Sequence, residues 1–154
     1  MTNNSASDGG FDLNLFLPYL LNQAAEVSSL GFQKVYKDRY GMLVTDWRVF
    51  FHLGVYGRMT ARDIGRLANI HKTKVSRAVA RLEARRFLIR QEDDADRRVE
   101  HLMLTPMGQA AYRDLYGVAE QYDAALVAGL DPDDVVVLRR VLQQLAGRAT
   151  KSRV

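Results

Sequence analysis

The chain has 154 residues, 47% of them hydrophobic and 26% charged, with a formal net charge of +4 and no cysteine. That length and balance suit one globular domain, or two small lobes sharing a core, and the missing cysteines exclude disulfides, thiolate metal sites and thiol redox sensing. No apolar run approaches the ~18 residues of a membrane span, and the polar opening "MTNNSASDGG" has neither the basic nor the apolar part of a signal peptide, so a cytoplasmic protein without membrane partners is expected.

Residues 1–10 are small and polar and are expected to be disordered. A long helical pattern then runs from about Leu13 to Arg39, with Leu17, Leu20, Leu21, Ala24, Val27 and Val35 at helical spacing. Pro18 is tolerable only near its start, and Gly41 closes it. Thr45 is the expected cap of a second helix carrying Trp47, Phe50, Phe51 and Val55, ended by Gly57. Thr60 and Asp63 form a capping-box pattern opening a short helix that buries Ile64, Leu67 and Ala68.

A tight connection leads to "HKTKVSRAVARLEARR", residues 71–86. Residues 71–90 carry a local charge of +6, which leaves −2 for the rest of the chain. A weakly acidic body with one basic segment points to a local anionic partner. Val75, Val79 and Leu82 share one helical face, while Lys74, Arg77 and Arg81 share another, with Thr73 and Ser76 close by. Such a helix fits the DNA major groove, where arginine grips guanine through two hydrogen bonds and lysines and hydroxyls hold phosphates. Its N-terminal part, Lys72, Thr73, Lys74, Ser76 and Arg77, is expected to face the bases, and Arg81, Arg85 and Arg86 the backbone. The plain alternative is a solvated basic face. Against it stand the scarcity of carboxylates, the capped short helix upstream and the arginine-bearing hairpin downstream.

That hairpin is read from "FLIRQ" and "RRVEHLMLT" around the acidic tip "EDDAD". Thr105-Pro106 then starts a helix to about Ala128, with Ala111, Leu115, Val118, Tyr122 and Leu126 along it and Gly129 ending it. Asp131, Asp133 and Asp134 around Pro132 open a last helix with Val135, Leu138, Val141, Leu142 and Leu145 as its apolar stripe. The fold class is therefore mainly α with a small β-wing: a winged helix-turn-helix core flanked by helices at both chain ends.

The stretch from Met59 to Gln109 resembles the winged helix-turn-helix core of the MarR family of bacterial transcriptional regulators. The resemblance rests on the Val75-Ser76-Arg77 run ending in Arg81-Leu82-Glu83, and on Asp96-Arg97-Arg98 followed by a strand closing with Leu104-Thr105. It implies that Arg98 enters the minor groove from the wing tip, oriented by Asp96, with Arg97 reaching a phosphate. Narrow A·T-rich minor grooves do concentrate negative potential, and a carboxylate two residues away can hold a guanidinium in one geometry; a surface ion pair is the plain alternative. The family usually has Gly where this chain has Arg86, so either Arg86 is strained in a left-handed C-cap or the turn is built differently.

The resemblance further implies one domain over 11–154, after the disordered 1–10. A DNA-binding lobe would span 42–105, and dimerisation helices 11–41 and 106–150. It implies a homodimer on a palindromic operator in double-stranded DNA, usually a repressor, released by a small aromatic or anionic effector. Tyr36, Tyr40, Trp47, Arg48, Phe51 and His52 lie where an effector cleft would be; the alternative is that these aromatics are core. The three histidines, His52, His71 and His101, are scattered without metal spacing, and no nucleophile or phosphate-loop motif occurs, so neither enzyme, metal nor cofactor is expected. The remaining rival is a winged helix that binds protein, which should show apolar groups where Thr73, Lys74, Ser76 and Arg77 stand.

Overall fold

The computed structural model describes residues 10–151, with side chains to residue 147; the expected disorder of residues 1–10 lies, Gly10 apart, outside the described residues. A 3-10 turn, Leu13–Leu15, precedes α1, Leu17–Tyr40. Then follow α2 (Val44–Tyr56), β1 (Met59–Thr60), α3 (Ala61–Ala68), α4 (Lys72–Ala84), β2 (Leu88–Glu92), β3 (Glu100–Leu104), α5 (Pro106–Val127) and α6 (Pro132–Lys151). The chain divides into two compact units, one ending at Gly31 and the other beginning at Phe32. In the first, Asp12 caps the 3-10 turn by accepting the Asn14 N–H at 2.9 Å, and the rings of Phe11 and Phe16 meet edge to face. Phe11, Leu13, Leu15, Phe16 and Leu17 are all exposed on the single chain.

The second unit holds the mainly α winged helix. Its core is Phe32 and Tyr36 from α1, Val49, Phe50 and Leu53 from α2, Ile64 from α3, Val75, Ala78, Val79 and Leu82 from α4, Leu88, Leu102 and Leu104 from the strands, and Ala111 and Leu115 from α5. The helix starts follow their caps. Thr60 accepts the Asp63 N–H at 3.1 Å, and Thr105 accepts the Gly108 N–H at 3.0 Å with Pro106 opening α5. Asp131 accepts the Asp133 N–H at 2.8 Å before α6. Gly41 and Gly57 take φ of +63° and +77° and end α1 and α2, a region open to glycine because it has no Cβ.

Three expectations are corrected. Leu67, expected to be buried with Ile64 and Ala68, is exposed on α3. Thr45 lies inside α2, whose cap is Leu43. The Asp46 carboxylate takes over the capping role by accepting the Leu43 N–H at 2.9 Å. The sheet also has three strands in the order β1-β3-β2, where a hairpin alone was expected. Met59 pairs with Leu102 and Thr60 with His101, while β2 and β3 run antiparallel from Leu88 opposite Leu104 to Glu92 opposite Glu100. At the base of the wing α5 comes so close that a Cβ on Gly108 would lie 2.0 Å from the Phe87 carbonyl oxygen.

Candidate nucleic-acid interface

The basic helix α4 begins at His71, whose Nδ1 accepts the Thr73 N–H at 3.2 Å. Val75, Ala78, Val79 and Leu82 are buried, and this stripe dictates which residues turn outward. Lys72, Thr73, Lys74, Ser76 and Arg77 are all exposed on its first two turns. A cleft of about 600 Å³ opens between α3, the N-terminal part of α4 and the base of the wing. Ile70, Val75, Val79 and Leu102 contribute apolar lining to it, and Arg62, Arg66 and Lys72 add cations. Arg62 and Arg66 are exposed, one turn apart on α3. They were absent from the expected contacts, although the i, i+4 spacing of these arginines in the sequence signals a shared face.

Arg81 has a partner within the chain. Its guanidinium reaches back to α2 and binds Asp46 through Nε at 2.8 Å and Nη2 at 2.7 Å. Asp46 is only 2% exposed, so this pair ties α4 to α2 and has a chain partner before any phosphate. Arg85 is exposed and donates to the Tyr40 carbonyl at 2.8 Å. At the helix end, the Arg86 N–H bonds the Glu83 carbonyl at 2.9 Å and the Phe87 N–H bonds that of Leu82 at 3.0 Å. This is the Schellman pattern, and Arg86 holds the left-handed position at φ +64°. The strained alternative is thus the one adopted, with the Arg86 carbonyl accepting from the Thr105 hydroxyl at 2.6 Å.

In the wing, Arg90 on β2 is neutralised between Glu83 at 3.1 Å and Glu100 at 2.9 Å. Both carboxylates hydrogen-bond its guanidinium, which raises its pKa above the usual arginine value. At the tip, Asp96 accepts from Arg98 three times: the backbone N–H at 3.0 Å, Nε at 3.1 Å and Nη2 at 3.3 Å. The Arg98 side chain is nevertheless 91% exposed, and its hydrogen bonds hold the Asp96 carboxyl below the usual carboxylate range. The tip thus offers a guanidinium that is both oriented and open to solvent. Arg97 is exposed beside it. The acid before them, Asp93, is bound into the loop by Ala95, Asp96 and His101.

The six expected effector residues separate into different environments. Tyr36, Trp47 and Phe51 join Phe32 in a cluster of edge-to-face and tilted rings. Tyr36 is fully buried there, which pushes its hydroxyl up to about 12. Tyr40 instead donates to Asp114 at 2.5 Å. Burial and that carboxylate raise its pKa to about 12 as well. Arg48 donates to the Ala68 carbonyl, and His52 Nδ1 meets the Arg48 carbonyl at 2.6 Å.

Residues 40–99 match the model of the MarR family. The chain is 27% identical over 107 residues to an uncharacterised HTH-type transcriptional regulator of Bacillus subtilis, YwaE, a match covering 70% of this chain. The matched stretch spans 63% of that relative's length. Among solved structures, it superposes on BpsR of Bordetella bronchiseptica with a TM-score of 0.81 at 26% identity, covering 90% of this chain and 98% of that one. That protein's DNA binding is regulated by 6-hydroxynicotinic acid. A MarR family transcriptional regulator of Silicibacter pomeroyi gives a TM-score of 0.78 at 25% identity, covering 98% and 99% of the two chains.

Proposed function

We propose, on the premise that the chain belongs to the MarR family through its winged-helix core, that it is a sequence-specific regulator of transcription that binds double-stranded DNA. The observation that carries this reading is the pairing of an oriented but open Arg98 with the exposed Lys72, Thr73, Lys74, Ser76 and Arg77 of α4. A protein-binding winged helix has no use for a row of cations and hydroxyls over a buried apolar stripe. A duplex uses both parts: α4 enters the major groove, where base edges are distinct, and Arg98 enters the adjoining minor groove. Arg97 meets the phosphate backbone, and Asp96 holds Arg98 at the right angle. Arg62 and Arg66 join them as phosphate ligands from α3, the helix that crosses the backbone in helix-turn-helix docking.

Residues 42–105 form the DNA-binding lobe, and the helices over 11–41 and 106–150 join two copies. A homodimer places two recognition helices about 34 Å apart and so reads a palindromic operator. Working on chromosomal DNA, it acts in the cytoplasm as a repressor. A small aromatic or anionic effector releases it, in keeping with the control of BpsR by 6-hydroxynicotinic acid. Of the six effector candidates, Tyr40, Trp47, Arg48, Phe51 and His52 are half-buried, and only Tyr36 is fully buried, so that reaching it requires the rings around it to part.

Selecting bound fragments from the source genome, then titrating the enriched duplex at several salt concentrations, tests this. A palindrome should emerge, and log affinity should fall linearly with log salt at about −0.9 per neutralised phosphate. No enriched sequence together with a flat salt response would favour the protein-binding alternative.

A further inference from the structure

Asp93 stands between the sheet and the wing tip, and no DNA contact accounts for it. It follows Glu92, the last residue of β2, and its N–H closes the loop on the Val99 carbonyl at 2.9 Å. One carboxylate oxygen accepts the N–H groups of Ala95 at 2.8 Å and Asp96 at 3.1 Å. The other meets His101 Nε2 at 2.9 Å. These three donors hold the Asp93 carboxyl at about 2, the His101 hydrogen bond first among them. Asp93 is therefore ionised at neutral pH and can only accept, so Nε2 of His101 carries the proton and donates it.

His101 sits on the central strand, opposite Gln91 of β2 and Thr60 of β1. A continuous line of hydrogen bonds then runs outward: His101 to Asp93, Asp93 to the amides of Ala95 and Asp96, and the Asp96 carboxylate to Arg98. Every link but the first lies within the loop, and the first fastens the loop to the sheet. We propose that His101 and Asp93 are positioning residues for Arg98, fixing the turn that holds the wing arginine ready before DNA arrives. The physical gain is pre-organisation: a side chain already ordered in the free protein loses less entropy on insertion. This proposal rests on the reading of Arg98 as a minor-groove contact.

The test uses His101→Gln, which keeps a donor near the position of Nε2, His101→Leu, which removes it, and Asp93→Asn, which removes the charged acceptor. In DNA-free protein, the Arg98 Nε–H resonance should be sharp and protected in the parent and in H101Q. It should be lost to exchange in H101L and D93N, with backbone resonances outside the wing unchanged. On the selected duplex, H101L should bind about threefold to tenfold more weakly and H101Q within about twofold of the parent. In an Arg98→Ala background, H101L should cost nothing further. An unaltered Arg98 signal in H101L and D93N, or losses that multiply with that of Arg98→Ala, would overturn the positioning role. Should the parent bind duplex without salt dependence, the DNA reading falls, and the Arg98 resonance still decides whether the latch exists.

Discussion

Arg86 carries a side chain at φ +64°, where a Cβ crowds the following carbonyl at a cost of about 1–2 kcal/mol. The turn is kept because both its N–H bonds and the Thr105 hydroxyl are satisfied there. Glycine would relieve the strain but give back part of the gain through its freer unfolded chain. Arg86→Gly should therefore raise stability by about 0.5–1 kcal/mol, read as a higher urea midpoint with an unchanged slope. Tyr36 and Tyr40 allow a second check at this scale. Both have folded-state values raised to about 12 from an ordinary 10. Their contribution to stability is complete below pH 10 and is lost as pH rises from there through 12. Tyrosinate absorbance should show Tyr36 and Tyr40 among the late-ionising of the seven tyrosines, and unfolding in mild denaturant should set in above pH 10.

Among the elements, one ion pair is added to the apolar packing of α2 on α4. Asp46 is 2% exposed, caps α2 through the Leu43 N–H, accepts the Arg81 Nε–H and is ion-paired with the same guanidinium. Arg81→Ala strands that carboxylate. Complete burial of an unpaired charge costs about 3–5 kcal/mol, and because Arg81 is partly exposed the expected loss is nearer ~2–3 kcal/mol. Denaturant unfolding should show this, with Arg81→Met plus Asp46→Asn losing less than Arg81→Ala alone. Most element ends were legible because their signals are local: Thr60 and Thr105 cap where they stand, and Gly41 and Gly57 stop where they stand. Thr45 misled because Asp46, one residue on, can cap from inside the helix. β1 escaped because two residues, Met59 and Thr60, carry no alternation to read. The Asp96–Arg98 pair lay within reach of sequence reasoning, two residues apart. Arg81 with Asp46 did not, because 35 residues separate them and only the packing of two helices brings them together.

For the molecule as a whole, the distribution of exposed apolar surface is the property to explain. Phe11, Leu15 and Leu17 near one end, and Leu126, Leu130, Val136 and Leu138 near the other, are all exposed on one copy. Exposed apolar side chains toward both chain ends suit an interface, and two-fold helix-turn-helix binding asks for one. Sedimentation equilibrium should find a dimer. Leu138→Asp should shift it toward monomer and weaken binding to a full palindrome far more than to a half-site. A monomeric parent would contradict the proposed assembly while leaving α4 and the wing as they are.

The proposed division of labour between α4 in the major groove and the wing arginine in the minor groove is tested most directly by titrating the parent, Arg77→Ala and Arg98→Ala against the selected operator and against duplexes altered at single base pairs. Arg77→Ala should weaken binding by about 1–3 kcal/mol and lose discrimination at one major-groove position in each half-site. Arg98→Ala should weaken binding while keeping that discrimination and losing the preference for A·T pairs under the wing. Two variants that bind every duplex as the parent does, or that lose affinity equally on all of them, would contradict the assignment of α4 to the major groove and Arg98 to the minor.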